Sequence, residues 1–424
     1  MHLGALLHFG PGGVPDAESL VALLAERASR SLRLRQRVHV PRNPIHAPRW
    51  IEDSHFSARQ HIGVHALQGR GSLERTAAAL MAAPLRRELP PWEIHLLAKS
   101  GLDQGFSLLL KLHHAAVDGL RAVDLGLRLL DRLEAVPTPA PEPAAPEGPA
   151  PGLAAGLDEL TRRALRSARI AADVVTTVVG SRVADGWRPT ETPLHTGPSA
   201  AASGERVLAL SSFSVRDLQL IRRTHGGTLH DVELALVAGA LRRWLLDQGC
   251  DPARRGARVL VPVSHRSRAG EPEQGNQLSG FLVDLPVAEP DPLTRLLRVH
   301  AAMCGHKERG PLRGPGAVAM LSDLLPAPAQ RITGPLLRPV APLLFDALVT
   351  DVPLPGLPFT LAGAPLTGLH PLAPLAQGHT LAIALSRYRD SVHIGVHGTA
   401  ETLRDPRRLS GMLAAELAEL RRTC

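Results

Sequence analysis

Seven prolines fall between Ala135 and Gly152, in the run AVPTPAPEPAAPEGPAPG, and no apolar periodicity runs through them. Proline fixes its own φ, lacks an N–H and biases the residue before it toward extended backbone. The stretch therefore reads as a linker or surface loop. It divides the chain into a shorter part before it and a longer part after it. The organisation expected is an N-terminal subdomain over 1–134, a Pro/Ala-rich linker over 135–156, an amphipathic helix and crossover over 157–204, and a C-terminal subdomain over 205–424.

Helical and strand periods alternate on both sides of that break. Before it, Val21–Ser31 and Thr76–Met81 have helical spacing, and Trp92–Leu97 and Phe106–His114 read as strands. Leu120–Glu134 follows as a helix with Leu120, Val123, Leu127 and Leu130 on one face. After it, Leu157–Val179 carries an apolar stripe opposite Arg162, Arg163, Arg166 and Arg169. Val207–Phe213, Val259–Val263, Phe281–Leu285 and Thr380–Ser386 read as strands, and Pro406–Arg421 as a closing helix. Thr228–Asp247 is expected to be a helix whose Thr-Leu-His-Asp start fits a capping box. Mixed strands and helices without an internal repeat point to α/β layers.

Composition bounds the function classes. With 44% hydrophobic and 21% charged residues, a large core is available and wholesale disorder is excluded. The formal net charge is +8, and only Lys99, Lys111 and Lys307 among the 48 basic residues are lysines. A basic surface attracts phosphate, whether on nucleic acid, anionic lipid or coenzyme A. With seven Phe, four Trp and one Tyr, and no RNA-binding or zinc-knuckle signature, no nucleic-acid partner is expected. Cys250, Cys304 and Cys424 form no C-x-x-C pair, which fits a reducing cytoplasm. No apolar run reaches the ~18 residues of a membrane span.

The segment that carries chemistry is Phe106–Gly119, FSLLLKLHHAAVDG. A buried strand runs into His113 and His114, and Asp118 and Gly119 follow at the start of a helix. Three readings compete. His, His and Asp are all metal-ligand types, but adjacent strand residues face opposite ways, so His113 and His114 cannot easily share one ion. The pair can be two satisfied polar residues in a turn, with Asp118 capping the next helix. Or one imidazole faces a cavity as a general base. The chain has no G-x-S-x-G elbow, no H-E-x-x-H pair and no P-loop. A lone histidine without a covalent nucleophile suits activation of a substrate hydroxyl, whose proton must leave as the oxygen attacks.

HHAAVDG resembles the H-H-x-x-x-D-G motif of coenzyme A-dependent acyltransferases. The order of further segments resembles the bacterial wax ester synthase/diacylglycerol acyltransferase family over nearly the whole chain. Met1–Phe9 is similar to the family's first strand. Arg35–Val38, Pro48–Phe56 and Pro84–Leu96 are similar to its next blocks. Thr228–Leu241, Val261–Arg266, Gly275–Gln277 and Asp346–Gly363 are similar to those of its C-terminal half. The resemblance implies two chloramphenicol-acetyltransferase-like subdomains with an active-site tunnel between them. It implies acyl-CoA as co-substrate with no resident cofactor, a lipid alcohol as acceptor, and wax ester or triacylglycerol as product. His114 would be the base, His113 its neighbour, and Asp118 a loop-holding residue with an arginine partner. Backbone N–H groups near Gly119 and the side chain of Asn276 are candidates for the oxyanion.

The chain departs from the pattern in three places. Asn-Asp reads His230-Asp231, N-V-P-G-P reads Asp351-Val352-Pro353-Leu354-Pro355, and P-L-W reads Pro90-Pro91-Trp92. Trp92, Asp231, Asn276 and Asp351 are the candidates for substrate binding, against plainer roles for Trp92 as core and Asp231 as a cap. No metal is expected. The altered motifs leave room for a secondary-metabolite or glycolipid acceptor, or for a non-catalytic acyl-CoA or lipid-body binder. The expected location is cytoplasmic, with peripheral contact at a membrane or lipid-body surface through Leu157–Val179 or Pro335–Phe345.

Overall fold

The computed structural model of the chain describes residues 2–13, 16–41, 48–99, 102, 104–117, 119–131, 205–254, 256–264, 278–309, 345–375 and 378–424. Asp118, Asn276, the proline-rich run, the helix expected over Leu157–Val179 and all of Pro335–Phe345 but its last residue lie outside these. The first part supplies β1 (His2–Phe9), α1 (Ala17–Ser29), β2 (Gln36–His39), β3 (Arg49–Glu52), β4 (Ile62–Ala66), α2 (Ser72–Ala82), β5 (Trp92–Ala98), β6 (Phe106–His113) and α3 (Gly119–Leu129). The second supplies β7 (Arg206–Ser214), α4 (Val215–His225), α5 (Leu229–Asp247), β8 (Ala257–Ser264), β9 (Leu278–Leu285) and α6 (Pro292–Arg309). It continues with β10 (Ala347–Asp351), β11 (Thr360–Leu361), β12 (Ala364–Leu372), β13 (Leu381–Tyr388), β14 (Ser391–Thr399) and α7 (Pro406–Arg421).

These strands build two six-stranded sheets and one small pair, β2 with β3. The first sheet runs β11-β12-β1-β6-β5-β4 and the second β7-β14-β13-β10-β8-β9. The C-terminal part of the chain thus lends β11 and β12 to the N-terminal sheet, where β12 lies antiparallel to β1 with Gly4 opposite Leu372. Neither β12 nor β14 stands out in the sequence, and neither do α4 and α6. Pro365, Gly368 and Pro371 interrupt β12. They are tolerated because β11 covers only Ala364 and Pro365, so most of its outer edge carries no ladder.

Each sheet buries both faces near its centre. Leu108, Leu110 and Leu112 of β6 pack with Leu20 and Leu24 of α1 and Leu125 and Leu129 of α3. On the opposite face Leu109 packs with Ala77, Ala78 and Met81 of α2 and with Leu208 of β7 and Leu372 of β12, so this second cluster joins the two sheets. The second sheet is covered by α5, buried from Val232 to Leu241, with α6 and α7 beside it. The expected capping box is present at the start of α5: Thr228 Oγ1 accepts from Asp231 N, and Asp231 Oδ2 accepts from Thr228 N.

The backbones of the two sheets come close where β14 passes β12. A Cβ at Gly395 would lie 2.0 Å from the carbonyl oxygen of Pro371. Beside this crossing runs a chain of imidazoles. Ser107 Oγ is 3.0 Å from His8 Nδ1, and His8 Nε2 is 2.9 Å from His370 Nδ1. His370 Nε2 donates to Ser211 O at 3.2 Å and lies 3.2 Å from Ser212 Oγ, which is 2.8 Å from His393 Nδ1. Burial first, then the neighbouring imidazoles, holds His8 down at about 4 and His370 at about 3, and burial lowers His393 as well.

These imidazoles fold neutral but titrate near 6.5 when the chain is unfolded, so the unfolded state gains protons first. Stability is expected to be full above pH ~6.5 and to fall as pH drops toward ~4. The fall should be smaller in His370→Asn, which hydrogen-bonds without titrating, as read from melting temperature against pH. Gly395→Ala should lower stability by at least about 1–3 kcal/mol in urea denaturation, because backbone must shift to admit the methyl.

Candidate active site

β6 is an interior strand, flanked by β1 and β5. At its end His113 pairs with His2 across the ladder, and its N–H donates to Pro91 O at 3.0 Å. The Pro90-Pro91-Trp92 segment is therefore held directly beside the two histidines. The chain then turns, with Ala116 N donating to His113 O at 2.8 Å.

The hydrogen bonds assign the tautomers of both rings. Ala115 N–H donates to His113 Nδ1 at 3.1 Å, so that atom is an acceptor and the proton sits on Nε2. Burial is the main reason that His113 is held at about 4, neutral at physiological pH. His114 is half-buried, and its Nδ1 lies 3.2 Å from Val117 O. A carbonyl only accepts, so His114 Nδ1 carries the proton and the basic lone pair lies on Nε2. That is the tautomer a general base needs, with a backbone carbonyl doing the orienting that a carboxylate does in a Ser-His-Asp triad.

Arg33 holds this loop, and Lys111 with Glu93 lies in the strands that lead to it; none is a site candidate in the sequence. Arg33 Nε donates to Ala116 O at 2.8 Å while its guanidinium lies 4.0 Å over the Trp50 ring. In a chain so rich in arginine, one structural guanidinium gives no signal of its own. Lys111 is fully buried two residues before the histidines. Its Nζ donates to Ala83 O at 2.6 Å and to Glu93 Oε2 at 3.1 Å, across the ladder between β5 and β6. Burial alone would raise the Glu93 carboxyl, but the hydrogen bond from His95 and the Lys111 ammonium outweigh it and hold it at about 2.

Trp92 stands opposite Leu112 on β5, 3% exposed, with its indole N–H donating to Leu34 O at 2.7 Å and its ring stacked on His61 at 4.4 Å. Gly119 opens α3. Asp118 and Asn276 lie outside the described residues. Asp231 is 1% exposed, and beyond its capping bonds it lies 2.9 Å from His300 Nδ1. Asp351 ends β10 and is paired with Arg387 at 2.6 Å. It lies near His230 and Glu233, not in the capping site. Leu354 and Tyr388, shortly beyond Asp351 and Arg387, pack in the same apolar cluster as Ala116 and Val117.

Two sheets joined by a lent strand, with an H-H-x-x-x-D-G loop at the end of an interior strand, define an acyltransferase of the chloramphenicol acetyltransferase type. The sequence model of the wax ester synthase/diacylglycerol acyltransferase catalytic domain matches residues 1–233, and that of the family's C-terminal domain matches residues 274–421. The chain belongs to this family. A Mycobacterium tuberculosis protein named probable diacylglycerol O-acyltransferase is 27% identical over 416 residues, covering 96% of this chain and 89% of its own length. A second M. tuberculosis protein with that activity in its name is 29% identical over 392 residues, covering 88% and 84%.

Among solved structures, the wax ester synthase/diacylglycerol acyltransferase of Marinobacter aquaeolei VT8 superposes with a TM-score of 0.70 at 24% identity, over 100% of this chain and 94% of that one. The first condensation domain of the calcium-dependent antibiotic synthetase superposes at 0.58 with 19% identity, over 99% and 91%. These likenesses establish the two-subdomain fold.

The buried pair beside the motif can be tested directly. Glu93→Gln leaves the buried Lys111 ammonium without a counter-charge and should lower stability by on the order of 3 kcal/mol in urea denaturation. The double change Glu93→Leu with Lys111→Met, which removes both charges, should recover most of that loss.

Proposed function

We propose that this chain transfers a fatty acyl group from acyl-CoA to a lipid alcohol, a long-chain alcohol or a diacylglycerol, with His114 as the general base. The observation that carries this is the His114 tautomer, with Nδ1–H donated to Val117 O and Nε2 basic at the end of a rigid strand. Nε2 takes the hydroxyl proton as the alcohol oxygen attacks the thioester carbonyl. A tetrahedral oxyanion forms, and donors aimed at it lower the barrier. Collapse breaks the carbon–sulfur bond, and the imidazolium returns the proton to the departing coenzyme A thiolate. His113, held neutral by burial, places no like charge beside the imidazolium.

Among the described residues no helix is long and apolar enough to cross a membrane. The acceptors are lipids, and the net charge of +8 favours an anionic surface. Peripheral contact with a membrane or lipid body is part of this proposal.

Purified protein with palmitoyl-CoA and either hexadecanol or a diacylglycerol should release free thiol and form an ester detectable by mass spectrometry. In His114→Ala, ester formation should fall by roughly 100-fold or more, the size of a general-base contribution. Undiminished activity in that variant would overturn the mechanism. Acyl-CoA binding with no ester from any alcohol would instead mark a binding protein.

A further inference from the structure

Two of the three departures from the family pattern meet in space. His230 lies in the first turn of α5 and Asp351 at the end of β10. Glu233, one turn further along α5, completes the group. The three residues each bring one ligand atom within 4.8 Å of the others. Glu233 is 0% exposed, and neither of its oxygens accepts a hydrogen bond. His230 Nδ1 and Asp351 Oδ1 are likewise buried without one. Buried polar atoms are nearly always satisfied, so four orphans converging on one point call for a ligand.

Charge says which kind. Arg387 Nη2 donates to Asp351 Oδ2 at 2.6 Å, and its Nε lies 3.6 Å from Glu233 Oε1. Two carboxylates against one guanidinium favour a cation beside a carboxylate, Glu233, that is itself fully buried. The Arg387 contact uses Oδ2 of Asp351, and Oδ1 is the buried oxygen without a partner. His230 Nδ1 and Glu233 Oε2 are 3.5 Å apart. Two ligands at about 2.0–2.1 Å from a tetrahedral ion stand roughly 3.4 Å from each other.

We propose that His230, Glu233 and Asp351 bind a divalent transition-metal ion, with zinc the best match and a fourth position open to solvent or substrate. One imidazole nitrogen with two carboxylate oxygens suits zinc, manganese or cobalt better than the all-oxygen shells of calcium or magnesium. Arg387 is the outer residue that orients Asp351, as hydrogen-bonded partners of metal-binding carboxylates commonly do. No metal is expected from the sequence, in which His113, His114 and Asp118 are the ligand types that stand close together and His230, Glu233 and Asp351 do not. The new site ties the start of α5 to the place where the chain leaves the second sheet for the first. Carboxylate and imidazole ligands bind a metal only when deprotonated, so binding should weaken in acid.

The test uses the full chain, stripped with chelator and titrated with Co2+, whose visible absorption reports the ligand set. Wild type should bind one equivalent per chain, Zn2+ should displace it, and Zn2+ should raise the melting temperature. Glu233→Gln and Asp351→Asn should each weaken Co2+ binding more than about tenfold and abolish the thermal shift. Asp351→Asn restores the family's own residue and keeps the comparison open if the Glu233 variant does not fold. The chain has 20 histidines, so some binding elsewhere is expected. No high-affinity Co2+ or Zn2+ binding to wild type, or a binding curve and spectrum unchanged in Asp351→Asn, would overturn the proposal.

Discussion

The pairing of β12 with β1 is the contact on which the rest of the molecule depends. With β12 outside it, β1 is an interior strand, and β6 on its other flank is shielded from water on both edges and both faces. Only in such a strand do four leucines and a fully buried lysine lead straight into two histidines. The same lent strand carries His370 into the imidazole chain and Leu372 into the cluster that joins the sheets. Remove it, and the loop bearing His114 loses the scaffold that fixes its orientation.

Electrostatics around that loop follow from burial. His2 and His113 are both held near 4, chiefly by burial, and the Lys111 and Glu93 charges offset each other across the ladder. The end of β6 that leads into His114 is therefore lined by neutral rings and a closed ion pair. The hydrogen bond from His114 Nδ1 to Val117 O fixes the orientation of that ring.

Much of this was legible in the sequence, and the pattern of what was not has physical causes. The HHAAVDG segment and the capping box at Thr228 are local, and local geometry follows from a few consecutive residues. The closing helix expected over Pro406–Arg421 is present with those bounds and has proline in its first turn. By contrast, β12 carries two prolines and a glycine, and only its unpaired outer edge makes that tolerable. β14 holds two histidines and two glycines that read as loop but are buried by neighbours on both sides. Glu93 and Lys111 are ordinary charges until strand register sets them opposite each other. His230 and Asp351 were visible one by one as departures from a pattern. That they meet beside Glu233 depends on strand order, which no window of sequence contains.

The lent strand also has a consequence for synthesis. Ala5 waits for Pro371, so the first sheet cannot close until the chain as far as β12 has left the ribosome. Until then β1 presents an open, apolar edge, the kind of template that invites pairing with other chains. Long-range pairing of this sort also slows folding, because loop-closure entropy must be overcome before the contact forms. A newly made copy of this protein therefore passes through a vulnerable interval whose length is set by translation rate, and its yield in a cell should depend on chaperone supply more than on the stability of the finished fold.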